Sequence, residues 1–162
     1  MRQLLLMRHA KSDWSADYST DHDRPLNDRG VRSARAMGRV LRDNDQVPDL
    51  VVTSSATRAK TTAQLAADAG AWESEIVVDS RLYGAGADSV VEMATEFGET
   101  KRLMLVGHQP TWSIVVSLLT GESVEMKTAT VAVLRFDLSA WSELPGATGE
   151  VEKVFQPRDY ID

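Results

Sequence analysis

The order of hydrophobic periods constrains the fold of this chain more than any other feature of its sequence. Residues 3–7 form an apolar run without helical spacing that ends against polar residues, which reads as a buried strand. A polar loop covers about residues 9–26. Asn27 is a good helix cap, and Val31, Ala34, Gly38 and Leu41 then share one helical face. The pattern repeats with a strand at 50–53 and an alanine-rich helix opening near Ser55, running to 69 and stopped by Gly70. A strand at 76–79 precedes the Gly84-Ala85-Gly86 loop and a helix over 88–97, with Asp88 as its expected cap. A strand at 102–106 leads through Gly107-His108-Gln109-Pro110 to a helix at 111–119, closed by Gly121. Two later strands, 129–136 and 150–156, have no helix between them, so at least one is expected to run antiparallel.

Strand, loop and helix repeated in this order require right-handed crossovers. The expected fold class is therefore α/β: a three-layer sandwich with a mostly parallel central sheet and helices on both faces. At 162 residues the chain fits a single domain over 1–162, large enough to bury a core without disulfides. The absence of cysteine excludes thiolate metal sites and fits a reducing compartment. No apolar run is long enough to span a bilayer, and the first residues lack the pattern of a signal peptide. A cytoplasmic protein without membrane partners is the expectation.

The net charge of −6 argues against general nucleic-acid binding, because phosphate backbones reward an excess of Lys and Arg. The charge is uneven. Residues 1–60 hold 11 basic and 8 acidic side chains (+3), and the remainder 7 basic and 16 acidic (−9). A basic end on an acidic chain fits a small anionic ligand or an acidic partner, with surface scatter as the plain alternative.

In open α/β sheets ligands bind beyond the carboxyl ends of the strands. Arg8 and His9 stand just past the first strand, Arg58 shortly past the second, and His108 just past the fourth. Two histidines and two arginines are thus expected to converge on one sheet edge. Each alone is a weak signal, since a lone histidine near a loop is more often an ordinary surface residue. Arg58 is also misplaced for a structural role, because a cation in the first turn of a helix opposes its dipole; a bound anion reverses that argument.

The combination is more specific. Leu-Leu-Leu-Met-Arg8-His9-Ala-Lys-Ser-Asp-Trp, Arg24-Pro25-Leu26-Asn27-Asp28-Arg29-Gly30, Thr53-Ser54-Ser55-Ala56-Thr57-Arg58-Ala59 and Val106-Gly107-His108-Gln109-Pro110 follow in order. From Leu4 to about Thr120 the chain closely resembles the histidine phosphatase superfamily, whose fold is phosphoglycerate-mutase-like, and within it the small bacterial phosphohistidine phosphatases. The resemblance implies a phosphatase with His9 as nucleophile, a covalent phosphohistidine, and no metal or other cofactor. Arg8, Arg58 and His108 would complete the phosphate pocket, with Arg24 a further phosphate contact or a brace beside Pro25. Arginine suits the task because its fork grips phosphoryl oxygens bidentately.

Two departures from other members bear on the substrate. Gln109 stands where acid-phosphatase members carry an aspartate after the second histidine, and residues 81–88 offer no obvious glutamate of the mutase type. A phosphoramidate needs less acid help than an alkyl ester, so the expected substrate is phosphohistidine on a protein. The alternatives are a small-metabolite phosphate ester and, in another class, a phosphate-binding module without turnover. A metal site from His9, His22 and His108 is disfavoured by the flanking arginines. The chain has no long insertion between motifs, so the pocket should be open. Trp14, Tyr18 and Trp112 are either a rim or packing residues. Arg29, Arg32, Arg35, Arg39 and Arg42 form a stripe on the first helix, either a solvated face or a docking surface for an acidic partner.

Overall fold

In the computed structural model, which describes residues 1–161, strand β1 (Arg2–Arg8) carries Leu4, Leu5, Leu6 and Met7 in succession, all buried. Successive side chains of a strand point to opposite faces, so an unbroken apolar run requires cover on both. Leu4 and Leu6 join one hydrophobic cluster, Leu5 and Met7 another. The other strands are β2 (Leu50–Thr53), β3 (Glu75–Val78), β4 (Arg102–Gly107), β5 (Val131–Phe136) and β6 (Glu150–Phe155). The sheet order is β3-β2-β4-β1-β5-β6. The β3-β2, β2-β4 and β4-β1 pairs are parallel; β1-β5 and β5-β6 are antiparallel. The mostly parallel α/β sandwich is therefore present, and β5 is the strand that reverses.

Helices α1 (Asp28–Asp43) and α2 (Thr57–Ala69) cover one face, contributing Ala34, Met37, Leu41, Ala59, Ala63 and Ala66 to the second cluster. Helices α3 (Ala87–Ala94) and α4 (Thr111–Thr120) cover the other with Val90, Val91, Val115 and Val116. The Asn27 side chain accepts from Gly30 N–H at 2.8 Å and starts α1 as expected. Helix α3 begins at Ala87 with Gly86 as a cap that makes no side-chain hydrogen bond, so Asp88 lies in the first turn and is not the cap. The helix also stops at Ala94, short of 97, because Thr95 and Glu96 N–H bond three residues back and tighten the end. Strand β5 starts two residues later than expected. Ala129 adopts φ 60°, and its N–H bonds the carbonyls of Arg8 and His9, tying this turn to the end of β1.

The sheet order creates a switch point. Adjacent strands β1 and β4 run parallel with Arg8 opposite Gly107, yet β1 leads to α1 on one face and β4 to α4 on the other. The chains separate there and leave a crevice at the carboxyl edge.

Helices α1 and α2 approach closely at Gly38, where a Cβ would lie 2.0 Å from the Ala66 carbonyl oxygen. Helix propensity alone favours alanine there, but the clash is with backbone that cannot move aside. Gly38→Ala is expected to destabilise the fold by about 1–3 kcal/mol, read as a lower urea midpoint at unchanged slope. A higher midpoint would show that the two helices are free to separate.

Candidate active site

The crevice holds His9 and His108 on neighbouring segments. His9 follows β1, its N–H bonding the Gly107 carbonyl at 3.0 Å. Its ring is 5.3 Å from that of His108, centroid to centroid. The loop after His9 is anchored to α2: Ala10 N–H donates to Thr62 Oγ1 at 2.9 Å, and Thr62 Oγ1 donates to the Arg58 carbonyl at 2.7 Å. Gly107 is required before His108 because the Trp112 ring packs on it, 2.5 Å from where a Cβ would stand.

His9 has a defined tautomer. Its Nδ1 lies 2.7 Å from the Ala10 carbonyl oxygen, which only accepts, so Nδ1 carries the proton. Burial, chiefly, pushes the His9 pKa down to about 3, with His108, Arg58 and Arg8 adding to the effect against the Ala10 hydrogen bond. The ring is therefore neutral at pH 7, and Nε2 retains its lone pair. Burial followed by Arg58 lowers His108 to about 4, even though Asp21 opposes the shift. His108 Nε2 lies 2.8 Å from Ser54 Oγ, which also accepts from Ala56 N–H ahead of α2.

Around the two rings lies an open cleft of about 620 Å³, lined by Arg8, His9, Arg24, Arg58 and His108 among others, with no carboxylate among the described residues of its wall. Arg58 sits in the first turn of α2, a turn without acidic residues. Arg24 and Arg58 are buried, and their guanidiniums converge on Asp21. Arg58 donates to the Asp21 backbone oxygen at 2.8 Å and to Oδ2 at 3.0 Å, while Arg24 pairs with Oδ1 at 3.2 Å. Other donors remain unused. The Nε atoms of Arg8, Arg24 and Arg58 and Nη1 of Arg24 are buried with no partner among the described residues. Buried cationic donors without acceptors are costly, and an oxyanion with several acceptor oxygens satisfies them.

The sequence profile described as "Histidine phosphatase superfamily (branch 1)" matches residues 4–85. The uncharacterized Mycobacterium tuberculosis protein Rv1276c is 39% identical over 159 residues, covering 90% of this chain and 96% of its own length. The chain belongs to the histidine phosphatase superfamily. Among solved structures, the phosphohistidine phosphatase candidate SixA from Nakamurella multipartitia superposes with a TM-score of 0.83 at 29% identity, covering 96% of both chains. The corresponding SixA candidate from Agrobacterium tumefaciens gives 0.82 at 26%, covering 96% of this chain and 98% of its own. Within the superfamily this chain falls in the SixA-like branch.

For this histidine phosphatase domain, the structure brings Arg8, His9, Arg24, Arg58 and His108 to one cleft. The aromatic residues divide. Trp14 is 72% exposed at the rim, its ring 3.5 Å from the Arg24 guanidinium carbon. Trp112 is buried core, donating Nε1–H to the Met7 carbonyl at 3.1 Å, and Tyr18 is absent from the cleft wall. His22 is not beside His9 and His108 as a third ligand; it bonds Ser55 Oγ at 2.8 Å, and among the described residues no group of three or more His, Asp or Glu is placed to hold a metal ion. Gln109 is occupied by α4, accepting from Ser113 N–H at 2.8 Å and donating to Ser113 Oγ.

Sequence reasoning missed Asp21 and Tyr83. The Tyr83 hydroxyl donates to Asp21 Oδ2 at 2.9 Å, and its ring meets those of His22 and His108 edge-on. Burial pushes the Asp21 carboxyl up, but Tyr83, Arg58 and Arg24 together outweigh it and hold the group below the usual carboxylate range. Asp21 is thus ionised at neutral pH and a poor proton donor. Its one sequence signal was its position three residues before Arg24.

The lowered histidines set a pH dependence. In the unfolded chain both rings take up protons near pH 6.5, whereas in the fold they do so at about 3 and 4. Between those values the unfolded state binds more protons, so stability falls as pH drops below about 6.5. NMR of the imidazole carbons should show no titration of His9 or His108 between about pH 5 and 8. The loss of thermal stability in acid should shrink in His9→Gln/His108→Gln. A midpoint near 6.5 on either ring would contradict the neutral pair.

Proposed function

We propose that this chain is a phosphatase in which His9 takes the phosphoryl group and passes it to water, acting on phosphohistidine carried by a protein. The observation that carries the reading is a neutral His9, proton held on Nδ1, beside buried arginine donors that lack acceptors. Membership of the superfamily and likeness to SixA proteins support a phosphatase.

The geometry suits in-line transfer. His9 Nε2 attacks phosphorus as the bond to the leaving nitrogen breaks, and charge spreads over three oxygens. Arg8, Arg24 and Arg58 stabilise that charge from fixed positions, where donors are most effective. The departing imidazole takes a proton from solvent through the open cleft. Water then attacks the phosphohistidine, His9 leaves with its lone pair restored, and the water's proton ends on phosphate. A bound dianion favours protonation of His108 against the nearby arginines, giving the pocket a further donor when it is filled. Positive charge comes from the protein in this scheme, so no metal is required.

The leaving group favours phosphohistidine over an alkyl ester. Among the described residues the cleft wall holds no carboxyl group, Asp21 is ionised, and Gln109 is committed to α4. A departing alkoxide has no acid to protonate it, whereas imidazole leaves readily. A metabolite phosphatase is the competing reading. It draws on the 36% identity over 107 residues to the Mycobacterium leprae 2,3-bisphosphoglycerate-dependent phosphoglycerate mutase, a match covering 60% of this chain and 43% of that one.

His9→Ala should lose turnover by about a thousandfold or more while keeping its circular dichroism. The wild type, quenched with labelled substrate, should carry acid-labile, alkali-stable phosphate on His9. Normal activity in His9→Ala would end the mechanism.

Phosphohistidine and aryl phosphates should turn over faster than sugar phosphates by about a hundredfold or more, the usual worth of a general acid. Rates on aryl esters should fall steeply as the phenol pKa rises, and should survive chelators. A flat dependence would favour the metabolite reading.

A further inference from the structure

A second cavity, of about 210 Å³, lies beside the catalytic cleft and shares Lys11 and Thr128 with it. The turn before β5 contributes Lys127, Thr128 and Thr130, and the segment after β6 contributes Gln156 and Arg158. The first turns of α1 close it with Arg29 and Ser33. Helix α1 presses on the loop here: Asn27 N–H donates to the Lys11 carbonyl at 3.0 Å, and a Cβ on Gly30 would lie 2.1 Å from that oxygen. The walls are therefore fixed by packing rather than by surface side chains alone.

Three observations point to a ligand. First, Lys11, Lys127 and Arg158 line the recess with no carboxylate among the described residues of its wall, although the chain as a whole carries −6. Lys11, Lys127 and Arg158 make no ion pair with any described residue. Second, Thr130 is fully buried, yet its Oγ1 has no hydrogen-bond partner among the described residues. A buried hydroxyl left unpaired is costly, so such a group marks a place where a partner is expected. Third, Gln156 Oε1 is buried and equally unpaired. A bare anion satisfies the hydroxyl and the cations but not this oxygen, which needs an N–H. A carboxylate attached to a peptide backbone offers both.

We propose that this recess is a subsite for an acidic side chain of the polypeptide that presents the phosphorylated residue. The inference rests on the protein-substrate reading above and adds which sequences such a substrate must carry. Because the recess and the cleft share a wall, a phosphoryl group at His9 places the neighbouring residues of an extended segment over Lys11 and Thr128. At about a third of the cleft's volume, the recess takes one Asp or Glu side chain and no folded element. The cationic surface continues beyond it, since Arg32, Arg35 and Arg39 are exposed along α1 and suit an acidic protein surface.

Two peptides phosphorylated on a single histidine test the proposal, one with glutamates flanking the histidine and one with glutamines. The wild-type protein should favour the acidic peptide in kcat/KM by about tenfold, mostly through KM, as expected for charge-assisted hydrogen bonds in a recess. Lys127→Ala/Arg158→Ala should remove the preference and leave the rate on the glutamine peptide unchanged. Thr130→Val should weaken the preference in the same way, with thermal unfolding confirming an intact fold. Equal rates on the two peptides in the wild type would overturn the subsite and leave the phosphohistidine reading standing. Equal loss on both peptides in the double variant would also overturn it, because a free anion would then be the occupant. If neither peptide reacts while aryl phosphates do, the protein-substrate reading fails and the subsite falls with it.

Discussion

The parallel pairing of β1 with β4 is the constraint on which the rest of this structure depends. Arg8 sits opposite Gly107, so the next residue on each strand is a histidine, and the two rings come 5.3 Å apart. Neither ring could be there if both strands fed helices on the same face, since the chain would then close over the edge. Separation of α1 from α4 onto opposite faces opens the crevice, and the two clusters on either face of β1 hold that separation in place.

Burial then shapes the chemistry. The crevice removes water from two imidazoles and surrounds them with guanidiniums, and both effects favour the neutral rings. The same burial strands arginine donors that water would otherwise satisfy. Asp21 relieves part of this cost by binding Arg24 and Arg58 from one side, with Tyr83 on the same carboxylate. Several Nε–H groups are left to whatever anion enters. A site preorganised in this way stabilises a phosphoryl group without reorganising at the moment of transfer.

Cationic character extends past the catalytic cleft. The recess behind Lys11 is lined by residues far apart in the chain, from α1, the turn before β5 and the segment after β6. An acidic protein carrying a basic active edge repels anions from most of its surface and admits them at that edge. Orientation of a large anionic partner follows from that asymmetry before any specific contact forms.

The strand order and the reversal at β5 came from the tertiary structure. The alternation of apolar runs with helical periods was enough to indicate a mostly parallel sheet, the helix faces and the edge where Arg8, His9, Arg58 and His108 meet. Those are local properties: a strand buried on both sides must be apolar throughout, and a residue following a parallel strand must emerge at the carboxyl edge. Asn27 and Gly70 were legible for the same reason, since caps act within a few residues. Tertiary structure decided everything that depended on which loops touch. Trp112 is near the motifs in sequence but is core, because its ring fills the space over Gly107. Asp88 has the chemistry of a cap, but the backbone enters α3 two residues earlier, with Gly86 as the cap. Asp21 and Tyr83 are 62 residues apart and bond to each other beside Arg58, a contact with no periodic signal in the sequence. The neutrality of the histidines, and the unpaired Thr130 hydroxyl, arise only when the fold excludes water from them. Periodicity reports which side of an element is buried; desolvation and long-range pairing depend on the whole chain.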